Sequence, residues 1–381
     1  MRFRRMMTGI LAGVVMLTGC GRQLERPQDR AVYYEQLLSG IEDAEPLQEE
    51  PHKKVGVMMP NKTSERWISD GINMKAKLEL LGYDVDLQYA EDEIELQIAQ
   101  IEKMIENGVD CLVVASIDSS RLTDSLQKAK EQKIPVIAYD RLLMDTDAVS
   151  YYASFDNKAV GELIGRYIVE ERQLERAALE GRSYTIEFFM GSPDDNNALF
   201  LYDGLMEQLQ PYLENGTLIC KSGEMTFEET CILRWSRETA RLRCRQLLDE
   251  YYQTEKLDIA CSAFDGFAYG IIQACMSAQY DSTDWPLITG QDAESDTIRN
   301  IAHGYQAMSI FKDTRELSTK CVTMVQAVLE NTKPELNDTE TYYNNVMTVP
   351  AYLCNPVVVD ANNYEEVLIE SGYYTQEQIF K

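Results

Sequence analysis

Residues 110–140, DCLVVASIDSSRLTDSLQKAKEQKIPVIAYD, decide the fold. Two apolar runs, CLVVA and IPVIAY, flank a polar-faced stretch of helical composition. Neither run alternates apolar with polar, as a half-exposed strand would. Both read as strands buried on two faces, joined by a crossover helix, which is the unit of a parallel sheet covered on both sides.

The same rhythm extends outward. Upstream, KKVGVMMP (53–60) reads as a strand, and SERWISDGINMKAKLELLG (64–82) as a helix with Ser64 as N-cap and Gly82 as its stop. YDVDLQYA (83–90) follows as a strand. EIELQIAQIEKMIENG (93–108) is a helix with Ile94, Ile98, Ile101 and Ile105 on one face. Downstream the pattern starts again. Strands are expected at SYYASFD (150–156), SYTIEFFMG (183–191), TLICKSG (217–223), KLDIACSAF (256–264), WPLITG (285–290) and YQAMSIF (305–311). Helices fill the intervals, including a long one over roughly 226–252 and a last one over 312–330. The fold class is therefore α/β, with two doubly wound parallel-sheet units in succession. The chain, at 381 residues, is long enough for two cores.

The N-terminus reads as an address. In MRFRRMMTGILAGVVMLTGC, Arg2, Arg4 and Arg5 precede an apolar run, Met6–Leu17, too short to span a bilayer permanently. Leu17-Thr18-Gly19-Cys20 resembles the lipobox of bacterial lipoproteins. Residues 1–20 are expected to be a lipoprotein signal, cleaved before a lipidated Cys20, and acidic residues 21–52 a tether. That places the protein outside the cytoplasm, lipid-anchored to the cell membrane.

Composition narrows the partners. A net charge of -27 repels phosphate backbones, so no nucleic acid is expected. Cys111 and Cys261 lie inside apolar runs and act as small hydrophobes. Cys220, Cys231, Cys244, Cys275, Cys321 and Cys354 form no close-spaced pairs, so free thiols are expected rather than disulfides. With two distant histidines, His52 and His303, no metal site is expected, and no cofactor.

In open parallel sheets, ligands sit beyond the carboxyl ends of the strands. The residues there are polar, planar and aromatic: Asn61, Ser64, Arg66 and Trp67 after the first strand; Ser116 and Asp118; Asp140 and Arg141; Asp156 and Asn157. The second unit adds Asp194, Asp195, Asn196 and Asn197, then Asp265, Gln291, Asp292, Lys312 and Asp313. Any one Asp or Asn could be a helix N-cap. Taken together they suit a sugar, whose vicinal hydroxyls pair with planar Asp, Asn and Arg groups. Trp67 and Trp235 could supply flat surfaces for its C–H faces, although Trp235 could equally be a helix-packing residue. No phosphate-loop, dinucleotide, zinc-protease or serine-hydrolase motif occurs, and a glycosidase carboxylate pair cannot be picked out, so no enzyme activity is expected.

The strings KTSERWISDG, LQYAEDEIELQIAQIEKMI, ASIDSS, IPVIAYDRL, YYASFDN, GSPDDNNA, LRW, DG, GQDAE and IFKDTREL, in this order, resemble the xylose-binding and multiple-monosaccharide-binding proteins of bacterial ABC importers. The resemblance runs from about residue 53 to the C-terminus. It implies the type I periplasmic-binding-protein fold, two lobes joined by three crossover strands, with an N-lobe of 53–155 plus 290–345 and a C-lobe of 156–289 plus 346–381. It implies pocket roles for Arg66, Trp67, Asp118, Asp140, Arg141, Asn157, the Asn196–Asn197 pair, Trp235, Asp265, Gln291 and Lys312, without saying which asparagine faces the ligand. It also implies a monomer that binds a monosaccharide, partnered by an ABC permease and its ATPase. A sensor presenting the same closed body to a histidine kinase or chemoreceptor is the alternative. A sugar-responsive repressor shares the fold, but a signal sequence stands where its DNA-binding helices would be.

Overall fold

In the first sheet, alternate residues enter different cores. Val57 and Val113 face one buried cluster, and Met58 and Val114 face the other. Each core side chain of this size contributes about 1.5–3 kcal/mol on burial, which is why the strands carry no polar face. The computed structural model describes residues 52–380. The expected signal sequence, Cys20 and all but the last residue of the tether lie outside the described residues.

The strands before the first crossing are β1 (Lys54–Met59), β2 (Asp84–Tyr89), β3 (Cys111–Val114), β4 (Val136–Tyr139) and β5 (Tyr151–Phe155). The second unit holds β6 (Tyr184–Phe189), β7 (Leu218–Ile219), β8 (Ile259–Ser262), β9 (Leu287–Ile288) and β10 (Met308–Phe311). β11 (Ala351–Cys354) and β12 (Val357–Asp360) follow. The first sheet has the order β11-β5-β4-β3-β1-β2, parallel throughout. The second has the order β7-β6-β8-β9, also parallel. β10 extends it through Ala307 N–H to Ile288 O and Ile310 N–H to Gly290 O. β12 closes that edge antiparallel to β10. The expected α/β class with two parallel-sheet lobes is what the structure has.

The chain passes between lobes three times. It leaves the first after β5, returns after β10 into the helix Thr314–Leu329 on the first sheet, and leaves again between β11 and β12. The expected lobe boundaries shift accordingly. Met308 and Ile310 join the second-lobe core with Ile186 and Ile259, so the return falls at about residue 312 rather than 290. Val349 and Ala351 stay in the first-lobe core, so the last exit falls near 355 rather than 345.

Three expected elements differ. The strand at 217–223 shrinks to Leu218–Ile219 and the one at 285–290 to Leu287–Ile288. The long helix over 226–252 is broken. Thr226 forms a capping box over a four-residue turn, Phe227–Thr230, and Ser236 caps a new helix, Arg237–Tyr251, by accepting from Thr239 N–H. Between them Arg234 and Trp235 take left-handed φ values of 59° and 51°. Two competing N-caps stop the helix where periodicity alone would continue it.

All eight described cysteines are free thiols. Among the described residues no helix is long and apolar enough to cross a membrane.

Candidate functional site

The carboxyl ends of both sheets face one cavity of about 450 Å³. Of the expected residues, Arg66, Trp67, Asp140, Arg141, Asn157, Asn197, Trp235, Gln291 and Lys312 line it. Asp118, Asn196 and Asp265 do not. Asp118 caps a turn by accepting from Ser120 N–H at 3.0 Å. Between the two asparagines, Asn197 is the buried one facing inward. Asp265 is buried behind the wall, where Ser309 Oγ (2.9 Å), Gln306 Nε2 (2.8 Å) and Glu294 N (3.0 Å) all donate to it. Burial holds its carboxyl well above the usual range.

An ion cluster drawn from both lobes forms one wall. Arg66 donates to the Asp140 carboxylate and lies 3.7 Å from Asp292, which also pairs with Lys312 at 2.8 Å. Burial opposes ionisation of Asp140, but Arg66, Lys312 and Arg141 together hold its carboxyl below the usual range. Asp140 sits at the end of β4 with φ 61°, a left-handed conformation uncommon outside glycine. Its carbonyl oxygen is fixed by Tyr152 Oη, Ser154 Oγ and Asn197 Nδ2, each at 2.7 Å. The strain is thus held by three hydrogen bonds.

Asn197 reaches Asp140 from the other lobe, from the first turn of the helix Asn196–Glu214, which Asp195 caps. Further contacts bridge the cleft. Arg141 Nε pairs with Asp195 at 3.0 Å, Ser119 N–H donates to Asp194 O at 3.1 Å, and Arg234 Nη1 donates to Ile117 O at 3.4 Å. Desolvation raises the Asp195 carboxyl against the pull of Arg141.

The aromatic roles divide. Trp67 is 6% exposed and both Arg66 (4.9 Å) and Arg141 (5.5 Å) lie over its ring, so guanidiniums occupy the surface expected for a sugar. Trp235 stacks on Phe267 at 5.8 Å and meets Phe264 edge-on, which makes it packing residue and cavity wall at once. Its indole Nε1, like Gln291 Oε1, is buried without a hydrogen-bond partner.

Sequence reasoning flagged Asp194, Asp195 and Asp292 at strand ends without assigning them to the pocket. It missed Asp92, Arg234, Arg237, Phe264 and Glu294. Arg234 had a signal in LRW, which was read for its tryptophan alone.

A cavity of this size, lined by carboxylates and guanidiniums and by two residues with unpartnered buried polar atoms, suits a small, neutral or weakly charged, hydroxyl-rich molecule. Residues 55–333 match the family model described as a periplasmic binding protein domain. The chain is 45% identical over 328 residues to the multiple sugar-binding periplasmic receptor ChvE of Rhizobium radiobacter, covering 85% of this chain and 92% of that protein. It is 31% identical to the D-xylose-binding periplasmic protein of Escherichia coli, covering 86% and 92%. Among solved structures, a solute-binding protein of an ABC transporter from Clostridium phytofermentans, with bound β-D-glucose, is similar at 47% identity and TM-score 0.83, covering 86% of this chain and all of that one.

Proposed function

We propose, from the premise that this chain belongs to the periplasmic sugar-binding proteins, a family of binding proteins and not of enzymes, that it captures an aldose between its lobes and delivers it to an ABC sugar importer. The observation that carries the reading is the wall of Arg66, Asp140, Asn197 and Lys312 in one cavity with Trp235, in a chain of which 86% matches a glucose-bound protein. Hydroxyls of the sugar take the place that water would hold against Asp140 and Arg66, and Trp235 Nε1 and Gln291 Oε1 gain partners.

Three crossings form the hinge, and Arg141–Asp195 and Ser119–Asp194 are the contacts that closure makes. Sugar favours the closed state because it bonds to both lobes, and the permease reads that state. The finer reading is an extracytoplasmic lipoprotein held by lipid on Cys20. Cys20→Ala is expected to move the protein from the membrane fraction into the medium; an unchanged membrane fraction would overturn the anchor.

The test of the binding reading is a thermal-shift screen of residues 53–381 against monosaccharides. A ligand that binds only the folded state adds ~2.7 kcal/mol at a hundredfold excess over its Kd. A rise in Tm with one or a few aldoses supports the reading, and no rise with any, in protein shown free of sugar, defeats it.

A further inference from the structure

Asp70 stands behind the cavity wall rather than in it. It lies one turn along the helix Glu65–Leu80 from Arg66, is fully buried, and neither carboxylate oxygen completes a hydrogen bond. Its Oδ2 is 3.7 Å from Arg66 Nε, which has no hydrogen-bond partner either. The other nitrogens of Arg66 face the opposite way, toward Asp140 and Asp292 on the cavity side. One guanidinium is thus shared between a carboxyl at its back and two at the site.

We infer that Asp70 is a positioning residue for the cleft: its protonation state sets how far Arg66 is committed to the ligand side. This rests on the reading of the cleft as a sugar site. With Asp70 neutral, Arg66 and Lys312 balance Asp140 and Asp292, two cations against two anions. With Asp70 ionised, a third carboxylate draws Arg66 backward and leaves the cluster with excess negative charge in a dry place. Sugar affinity therefore falls as Asp70 loses its proton.

The surroundings favour titration at Asp70 itself. Desolvation is the dominant influence and pushes its carboxyl up to about 7; Arg66 pulls down, Asp140 pushes up, and the Tyr139 and Thr314 hydroxyls approach without completing a bond. The other titratable groups around it are Lys77 on its own helix, Tyr89 on β2, Cys321 on the helix Thr314–Leu329, and Tyr373. Burial raises both Tyr89 and Tyr139, and it raises Cys321 and Tyr373 as well, so these stay neutral where Asp70 titrates.

The experiment is calorimetric titration of the purified chain with the aldose identified by the thermal-shift screen, from about pH 5.5 to 8.5 on either side of the Asp70 value. Wild type is expected to weaken by about fivefold or more across this range, with a binding enthalpy that depends on buffer because sugar binding takes up a proton. Asp70→Asn is expected to bind with a flat profile and no buffer dependence. A flat wild-type profile overturns the inference without need of the variant, and so does an Asp70→Asn protein that keeps the wild-type slope. Failure of every aldose to bind wild type at any pH overturns the functional reading and this inference with it, an outcome distinct from binding without pH dependence.

Discussion

Asp140 and Asp265 looked alike in the sequence, each an aspartate just past an apolar strand, and the structure gives them different work. Asp140 presents its carboxylate to the cavity, whereas Asp265 ties the 290–294 turn to β10 from behind. Asp140→Ala leaves Arg66 and Lys312 short of a counter-charge. It is expected to weaken aldose binding by about 2–4 kcal/mol, roughly 30- to 1,000-fold in Kd. Calorimetry checks this, with circular dichroism confirming the fold. Asp265→Ala removes the acceptor of Ser309 Oγ and one of the two acceptors of Gln306 Nε2, leaving Met308 O. Its expected effect is a loss of about 1–3 kcal/mol of stability in urea unfolding, with any affinity loss secondary. A strand-end rule places a residue along the chain but not the direction of its side chain. That is why Asn157 and Lys312 were legible, while Asn196 was inseparable from Asn197, its neighbour on the same helical turn.

The helices Asn157–Glu171 and Asn196–Glu214 both begin at the cavity, and glycines let them touch. A Cβ on Gly161 would lie 1.8 Å from Leu201 O, and one on Gly204 would lie 2.1 Å from Lys158 O. Neither can be accommodated without separating the helices. Gly161→Ala or Gly204→Ala is expected to cost about 1–3 kcal/mol or more in stability. Either change is also expected to weaken sugar binding, because Asn157 and Asn197 ride on those helix ends. Denaturant unfolding and calorimetry on the same variants measure both. Periodicity announced the two helices but not their contact, since a glycine in a helical pattern carries no sign of its neighbour. The break at 231–236 was hidden differently. LRW carries no glycine or proline, and the left-handed turn that turns Trp235 into a wall follows from Ser236 capping the next helix. Gly191 records the outcome, because a Cβ there would stand 2.2 Å from the Trp235 ring.

For the molecule as a whole, Asp70, Asp195 and Asp265 have folded-state values raised by burial. The unfolded chain releases those protons first. The stability they confer is complete below the ordinary carboxylate range and is lost as pH rises, for Asp70 through about 7. The Asp70 share is on the order of 4 kcal/mol between pH 4 and pH 8. Urea unfolding at those two pH values is expected to show wild type losing stability and Asp70→Asn losing less; equal losses would show that Asp70 titrates normally. The alternation of strands made two lobes legible, while the family resemblance set the return crossing at 290, and alternation could not correct it. The reason is that WPLITG and YQAMSIF look alike as strands, and only the pairing of Ile310 with the 290–292 backbone assigns the segment to the second sheet. The interleaving of the lobes bears on how the protein is made. β11 adds to the exposed edge of β5 from roughly 200 residues further along the chain. A growing polypeptide therefore has an unfinished first sheet until almost all of it has been synthesised. If the chain is exported, whatever holds it unfolded on the way must cover that open edge, and a product truncated before residue 351 would carry it permanently as a site for aggregation.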